Sequence, residues 1–381
     1  MTNFTYTKKI ISIEQGMQLI KEGYFALDPH CHSSYSYDVP DTNETSPEAV
    51  IRQQNLKGIR NVLTDHDTIE GCNYLKRKGI NIIPAMELTF KPKIARKIIS
   101  QRPIQTLHIN VFGLHNNDKI IIKEIAQRGD LDELVKYFKQ HDLAWVYNHP
   151  FYHEKKERLN WKVIPELAKN YFDVIELNSN YSKGLNDITQ RVAESLNKGI
   201  VAGSDSHTGN PGNCLVLAEG KNFKEFWENV KKGNAYVVRK DMGTRDIVRE
   251  ASRIINQAFK ARKRPRFGRA YTPATSVQTF DAVMKSVTSG KLRNRFIARK
   301  IIQMILQSIN YTAVPIFAWR LHVMKNEEKA QRLRNKMQAI TNKINSLKKN
   351  IGYNNKKNNN NKLRYYGANI VDNSKNIGKV N

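Results

Sequence analysis

Over the first 240 residues, short apolar runs alternate with stretches of helical composition. The runs are Tyr24–Leu27, Asn61–Thr64, Ile80–Pro84, Leu107–Phe112, Leu143–Tyr147, Phe172–Leu177 and Gly199–Ala202. Each is short and bounded by turn-forming or polar residues, which predicts buried strands. Helical stretches such as Ser46–Leu56, Leu131–His141 and Asn186–Asn197 lie between most of them. Phe223–Asn229 predicts a further helix and Lys231–Val238 a last strand. Strand–helix alternation predicts an α/β fold with a parallel sheet, and seven units without a break suit a βα barrel better than an open sheet.

Past residue 240 the pattern changes. Ile247, Ala251, Ile254, Ile255, Ala258 and Phe259 are spaced for an amphipathic helix over Asp246–Arg262, and cations crowd Arg262–Arg269. Ile301–Trp319 has no charged residue, but Gln303, Gln307, Ser308, Asn310, Thr312 and Pro315 argue against a membrane span and for a buried or interfacial helix. Leu333, Met337, Ile340, Ile344 and Leu347 repeat as a short coiled-coil seam able to form a dimer, or to fold back on the preceding helices. From Asn350 the chain is rich in Asn and Lys, a composition expected to be disordered. The expected organisation is a catalytic α/β domain over 1–240, a basic helical region over 241–350 and a low-complexity tail over 351–381.

Charge sharpens this division. Residues 1–240 carry 33 Lys and Arg against 28 Asp and Glu, whereas residues 241–381 carry 30 against 7. The back half is therefore expected to meet a polyanion, either nucleic acid or an anionic membrane surface. Three scattered cysteines (Cys31, Cys72, Cys214) exclude a disulfide framework and a Cys-type zinc site. The N-terminal residues lack the plan of a signal peptide, so a cytoplasmic protein is expected.

The chemistry lies at the ends of the runs. His30 and His32 follow the first, with Asp38 in the loop beyond; Asp65 and His66 follow the second; the third runs out into Glu87. His108 lies in the fourth, Asn148 and His149 follow the fifth, Glu176 ends the sixth, and Asp205 and His207 follow the seventh. In α/β barrels the C-terminal strand ends converge on one mouth, so residues far apart in sequence meet there. Six of the ten histidines fall in these places; His115, His141, His153 and His322 do not. Imidazoles with carboxylates suit zinc, manganese, iron or magnesium. Nine candidate ligands (His30, His32, Asp38, His66, Glu87, His108, His149, Asp205 and His207) are too many for one ion and suit two or three divalent ions.

Asp28-Pro29-His30-Cys31-His32-Ser33, Ser46-Pro47-Glu48, Thr64-Asp65-His66-Asp67-Thr68 with Gly71, Glu87, His108, Asn148-His149-Pro150 and Gly203-Ser204-Asp205-Ser206-His207 together resemble the PHP (polymerase and histidinol phosphatase) family of metal-dependent phosphoesterases. The resemblance spans about residues 24–240 and implies a distorted seven-stranded βα barrel with a trinuclear site. It implies that His30 and His32 hold one ion, reached also by Glu87 and Asp205. Asp38, His66 and His207 would hold a second, with Asp38 standing where some relatives carry His. Glu87 would bridge to a third, held with His108 and His149. Asp65 and His207 are the candidate catalytic residues, and Asp65, Asn148 and Glu176 could orient ligand imidazoles.

Two segments could select substrate or simply be solvated: Lys91, Lys93, Arg96, Lys97 and Arg102 between Glu87 and His108, and Tyr152, His153, Lys155, Lys156 and Arg158 after His149. The expected function is a phosphoesterase acting on a phosphomonoester or a nucleotide. The alternatives are a nuclease that uses the same site with the basic half on DNA or RNA, and a binding protein in which the barrel is only a scaffold.

Overall fold

The computed structural model describes residues 10–99, 104–152, 157, 159–262, 272 and 335. The elements in chain order are β1 (Ile10–Ile11), α1 (Ile13–Lys21), β2 (Phe25–Leu27), α2 (Pro47–Leu56), β3 (Val62–Leu63), α3 (Glu70–Arg77), β4 (Ile83–Phe90) and β5 (Leu107–Phe112). They continue with α4 (Asn116–Arg128), α5 (Leu131–Gln140), β6 (Ala144–Tyr147), α6 (Val163–Tyr171), β7 (Val174–Asn178), α7 (Lys183–Ser195), β8 (Gly199–Gly203), β9 (Leu215–Ala218), α8 (Phe223–Lys231), β10 (Ala235–Val238) and α9 (Thr244–Lys260).

The helices begin where the local chemistry allows. Ser12 caps α1 by accepting from Gln15 N at 3.2 Å, while Gln15 Oε1 accepts from Ser12 N at 3.0 Å. Ser46 caps α2 ahead of Pro47, whose fixed φ suits the first turn and whose missing N–H costs nothing there. Asp130 and Asn222 cap α5 and α8 by accepting from Glu133 N and Glu225 N, each at 3.0 Å.

The fold is mixed α/β. Six strands form one curled sheet in the order β3-β4-β5-β6-β7-β8, and four form a second in the order β1-β10-β9-β2. All seven expected runs contain a strand, but they do not share one sheet, because β2 pairs with β9. The expected all-parallel sheet is also corrected, since β5 runs antiparallel to both β4 and β6. The reason lies in the connections. No helix stands between β4 and β5 among the described residues, and two helices, α4 and α5, stand between β5 and β6, so each connection brings the chain back to the end it left. β5 thereby starts where its neighbours finish.

The residues after β2 are stitched between the two neighbouring strand ends. Thr64 N donates to Cys31 O at 2.9 Å, His32 N to Ser206 O at 3.1 Å, and Asp205 N to His30 O at 2.7 Å. The buried Asp28 adds a clamp across 176 residues, accepting from Ser204 N at 3.0 Å and also from Gly212 N. One apolar core runs through both sheets, from Phe25 and Val216 to Val62, Phe112, Val174 and Val201, with Phe226 and Trp227 of α8 against it. Burying a side chain such as Phe226 contributes about 2–3 kcal/mol.

The Ile301–Trp319 stretch, the 333–347 seam, most of the Arg262–Arg269 run and the tail lie outside the described residues. No helix among the described residues is long and apolar enough to cross a membrane.

Candidate metal centre

Glu87 is the hub. It lies within β4, where His66 forms an isolated bridge to it, and its carboxylate is buried. Oε2 lies 3.2 Å from His30 Nε2, 3.4 Å from His32 Nε2 and 3.2 Å from His66 Nδ1. Oε1 lies 3.1 Å from both His108 Nδ1 and His149 Nε2, and accepts from Asn148 Nδ2 at 2.9 Å. One carboxylate thus faces five imidazoles drawn from four separate segments.

Two further carboxylates complete the ring. Asp205 Oδ1 lies 3.4 Å from His30 Nε2, 3.3 Å from His32 Nε2 and 3.5 Å from His207 Nδ1. Asp38 Oδ2 lies 3.2 Å from His66 Nε2 and 2.9 Å from His207 Nε2. All nine residues singled out as ligands therefore come together. Their donor atoms converge in overlapping groups: His30, His32 and Glu87; His66, Glu87 and His108; His32, His66 and His207; and His30, His149 and Glu176. The reversal of β5 accounts for His108, which stands near the start of its strand and so at the same end as the others.

Two of the imidazoles, His30 and His32, are aimed by side chains outside the ring. His30 Nδ1 faces Glu176 Oε1 at 2.7 Å, and Glu176 Oε2 accepts from His149 N and Asn178 Nδ2 at 2.9 and 3.1 Å. His32 Nδ1 faces Ser36 Oγ at 3.0 Å, and Ser36 Oγ accepts from His66 N at 2.9 Å. Asp65 is not among the converging atoms. Its oxygens accept from Ser33 N at 2.6 Å and Ser33 Oγ at 2.8 Å, and Ser36 Oγ lies at 3.4 Å, so it positions the loop that carries His32. The ring of Tyr37 stacks on His66 at 4.9 Å and that of Tyr152 lies 4.7 Å from His108, screening that side from water. Ser36 and Tyr37 carried no signal in the sequence pattern, whereas Asp28 opens the first motif and Tyr152 stood among the residues that could select substrate.

Charge balance follows from the contacts. Burial works against ionising Glu87, yet His30, His66 and His108 hold its carboxyl well below the usual range. Asp205 and Asp38 are likewise held low by their histidines despite burial. Burial depresses His66 and His207, but Asp38 outweighs it and raises them to about 9 and about 10. Burial, with the charge of His207, pushes His32 down to about 3, leaving a neutral imidazole of the form a metal needs.

The donor set fits divalent ions. Asp38 Oδ1, His108 Nε2 and His149 Nδ1 are buried without a hydrogen-bond partner among the described residues. Such orphans are costly unless something occupies them. Buried imidazoles and carboxylates converging within ligand distance, with partners fixing their orientation, match the donor chemistry of zinc, manganese or iron.

The cations of 91–97 do not face this ring. Lys91 pairs with Glu157 at 3.0 Å, Arg96 with Asp130 at 3.0 Å, and Lys93 Nζ donates to Gln127 O at 3.0 Å. Arg102, His153, Lys155, Lys156 and Arg158 lie outside the described residues.

No family model and no curated protein matches the sequence. Among solved structures the chain is similar to PsfC from Pseudomonas syringae PB-5123, at 14% identity and a TM-score of 0.42, covering 60% of this chain and 96% of that one. It is similar to a candidate metal-dependent phosphoesterase from Bifidobacterium adolescentis, at 14% identity and a TM-score of 0.31, covering 51% and 90%. It is also similar to an amidohydrolase from Chromobacterium violaceum with bound sulfate and no metal, at 16% identity and a TM-score of 0.35, covering 55% and 96%. The candidate ligands named by the PHP resemblance stand together at one end of the sheet.

Proposed function

We propose that this protein is a metal-dependent phosphoesterase that hydrolyses a phosphomonoester or nucleotide. Two or three divalent ions would be held by His30, His32, Asp38, His66, Glu87, His108, His149, Asp205 and His207. The residues after β2 complete a distorted seven-stranded barrel around them. The observation that carries this reading is Glu87, a buried carboxylate shared by five imidazoles. Divalent ions bound there would supply Lewis acidity to a phosphoryl oxygen and lower the pKa of a water.

The chain's own residues do the rest. Glu176 and Ser36 orient His30 and His32, and Asn148 orients Glu87. Tyr181 Oη donates to His149 O at 2.6 Å and fixes that backbone. A side-chain nucleophile does not suit the site. Burial pushes the Cys31 thiol far up and it bonds to Val62 O, while Ser33 Oγ is spent on Asp65. Water is the fitting nucleophile.

The test is hydrolysis with added manganese on two panels, small phosphomonoesters and nucleotides in one, short 5′-labelled single-stranded DNA and RNA in the other. Turnover of the first panel, lost in His30→Ala and Asp205→Ala, supports the reading; no turnover of either panel by protein with its metals bound sinks it. The excess of cations past residue 240 favours a second reading, a nuclease in which the basic half holds the strand; shortening of the oligonucleotides would select it. A dimer through 333–347 is proposed on the seam alone.

A further inference from the structure

Past Asp205 the metal centre borders a polar cleft of about 120 Å³ between the 204–213 loop and α9. That is the volume of roughly four waters, room for one phosphate-sized group. Asp205 belongs to both places. Its Oδ1 faces the histidines, whereas its Oδ2 accepts from Asn178 Nδ2 at 3.3 Å and Asn180 Nδ2 at 3.0 Å.

The opposite wall is cationic. It is made by Lys240, just after β10, and by Arg249 and Arg253 of α9, which are four residues apart and so lie on one face of the helix. Two carboxylates share this wall. Asp246 Oδ1 lies 3.1 Å from Lys240 Nζ and 3.8 Å from Arg249, and Oδ2 accepts from Gly243 N at 3.2 Å. Glu250 Oε1 accepts from Thr208 Oγ1 at 2.6 Å, and Oε2 lies 3.4 Å from Arg253. Three cations therefore meet two carboxylates whose oxygens are already engaged. Arg249 has the longest of these contacts and is 58% exposed, so among the described residues most of its five N–H donors meet no acceptor at hydrogen-bond distance.

We infer that this cleft is a second anion subsite, in which Arg249, Arg253 and Lys240 hold a non-reacting phosphate or carboxylate of the substrate while its scissile phosphate lies at the metal ligands. The inference rests on the phosphoesterase reading for the reacting end. Guanidinium groups grip oxyanions through paired, charge-assisted donors. α9 lies beyond the residues that carry the PHP resemblance, so this subsite belongs to what this chain adds after its catalytic strands. The substrate class is then a phosphoester with a second oxyanion, on a small molecule or on a short nucleotide chain.

The experiment is isothermal titration of the full-length, manganese-loaded protein with two ligands that cannot be hydrolysed, phenylphosphonate and 1,4-phenylenediphosphonate. The diphosphonate is expected to bind about tenfold more tightly, the scale of one charge-assisted hydrogen bond. The double variant Arg249→Ala/Arg253→Ala should erase that advantage and leave phenylphosphonate within about twofold. Arg253→Lys should keep part of it. Equal affinity for both ligands in the wild type, or an equal loss of both in the double variant, overturns the subsite. If phenylphosphonate fails to bind while the variant still weakens the diphosphonate, the metal reading has failed and the subsite stands. Repeating the titration with 4-carboxyphenylphosphonate and a 5′-phosphorylated dinucleotide shows which oxyanion is held, by which of them loses most affinity in the variant.

Discussion

His30 Nδ1 meets Glu176 Oε1 at 2.7 Å, and both side chains are sealed from solvent. With its proton committed to Glu176, His30 presents Nε2 to Glu87, His32 and Asp205. Glu176→Gln keeps the shape and removes the charge. Metal affinity, measured by competition with a chelating dye, is expected to fall about 10–100-fold with unchanged circular dichroism. Unchanged affinity would make Glu176 a strand-end cap and nothing more.

Glu87 cannot be lost so mildly. Its two oxygens face five of the six candidate ligand imidazoles, all but His207. Glu87→Ala should lower hydrolysis by more than about a thousandfold, or roughly 4 kcal/mol of barrier, and reduce bound metal on elemental analysis. His115→Ala, at the start of α4, is the control and should change neither.

Metal binding and protons should compete. In the metal-free protein the folded-state values of His66 and His207 are raised to about 9 and about 10. The stability they contribute is complete below the unfolded value near 6.5 and is lost as pH rises through the folded values. Thermal stability of chelator-treated protein should therefore decline between about pH 7 and 10. Metal affinity should rise over the same window, with about two protons released per protein at pH 8, read by titration in buffers of different ionisation enthalpy. No dependence on buffer would remove His66 and His207 from the ligand set.

Gly203 lets β8 pass close to the site. A Cβ there would overlap Glu176 Oε1 and His30 Cβ. Gly203→Ala should cost about 1–3 kcal/mol in urea denaturation, and it should loosen metal binding by displacing the same two side chains.

α9 lies beyond the boundary drawn at residue 240, yet Gln257 Nε2 donates to Thr208 O at 2.7 Å and Lys260 pairs with Glu44 at 2.7 Å. A chain ending at Arg262 keeps these contacts and should turn over a small phosphoester within about twofold of the full chain. A chain ending at Lys240 frees the residue next to His207 and should lose about tenfold, even where it folds.

The converging cluster was legible because metal chemistry restricts residue type so tightly that six histidines and three acids in or near the runs could be picked out in order. The run Leu107–Phe112 coincides with β5 to the residue. The direction of β5 was not legible, since an apolar run looks the same in either orientation. β9 escaped because four residues at Leu215–Ala218 carry too little pattern, whereas α1 was announced by the Ser12–Gln15 capping pair and could have been found. Asp28 and Ser36 act through partners up to 184 residues away or through loop geometry, which no local window contains.

The reversed strand has a consequence for how such a protein can diverge. The chain between Phe90 and Leu107 turns round at the ligand end of the sheet instead of passing beneath it, and Lys91 and Arg96 fasten part of that turn sideways to Glu157 and Asp130. Among its described residues this rim segment supplies no strand of either sheet, and it contains none of the nine candidate ligands. It can lengthen, shorten or change its charge while the ligands stay in register. Selection can thus retune what reaches the histidines by editing one hairpin, with the rest of the frame held constant.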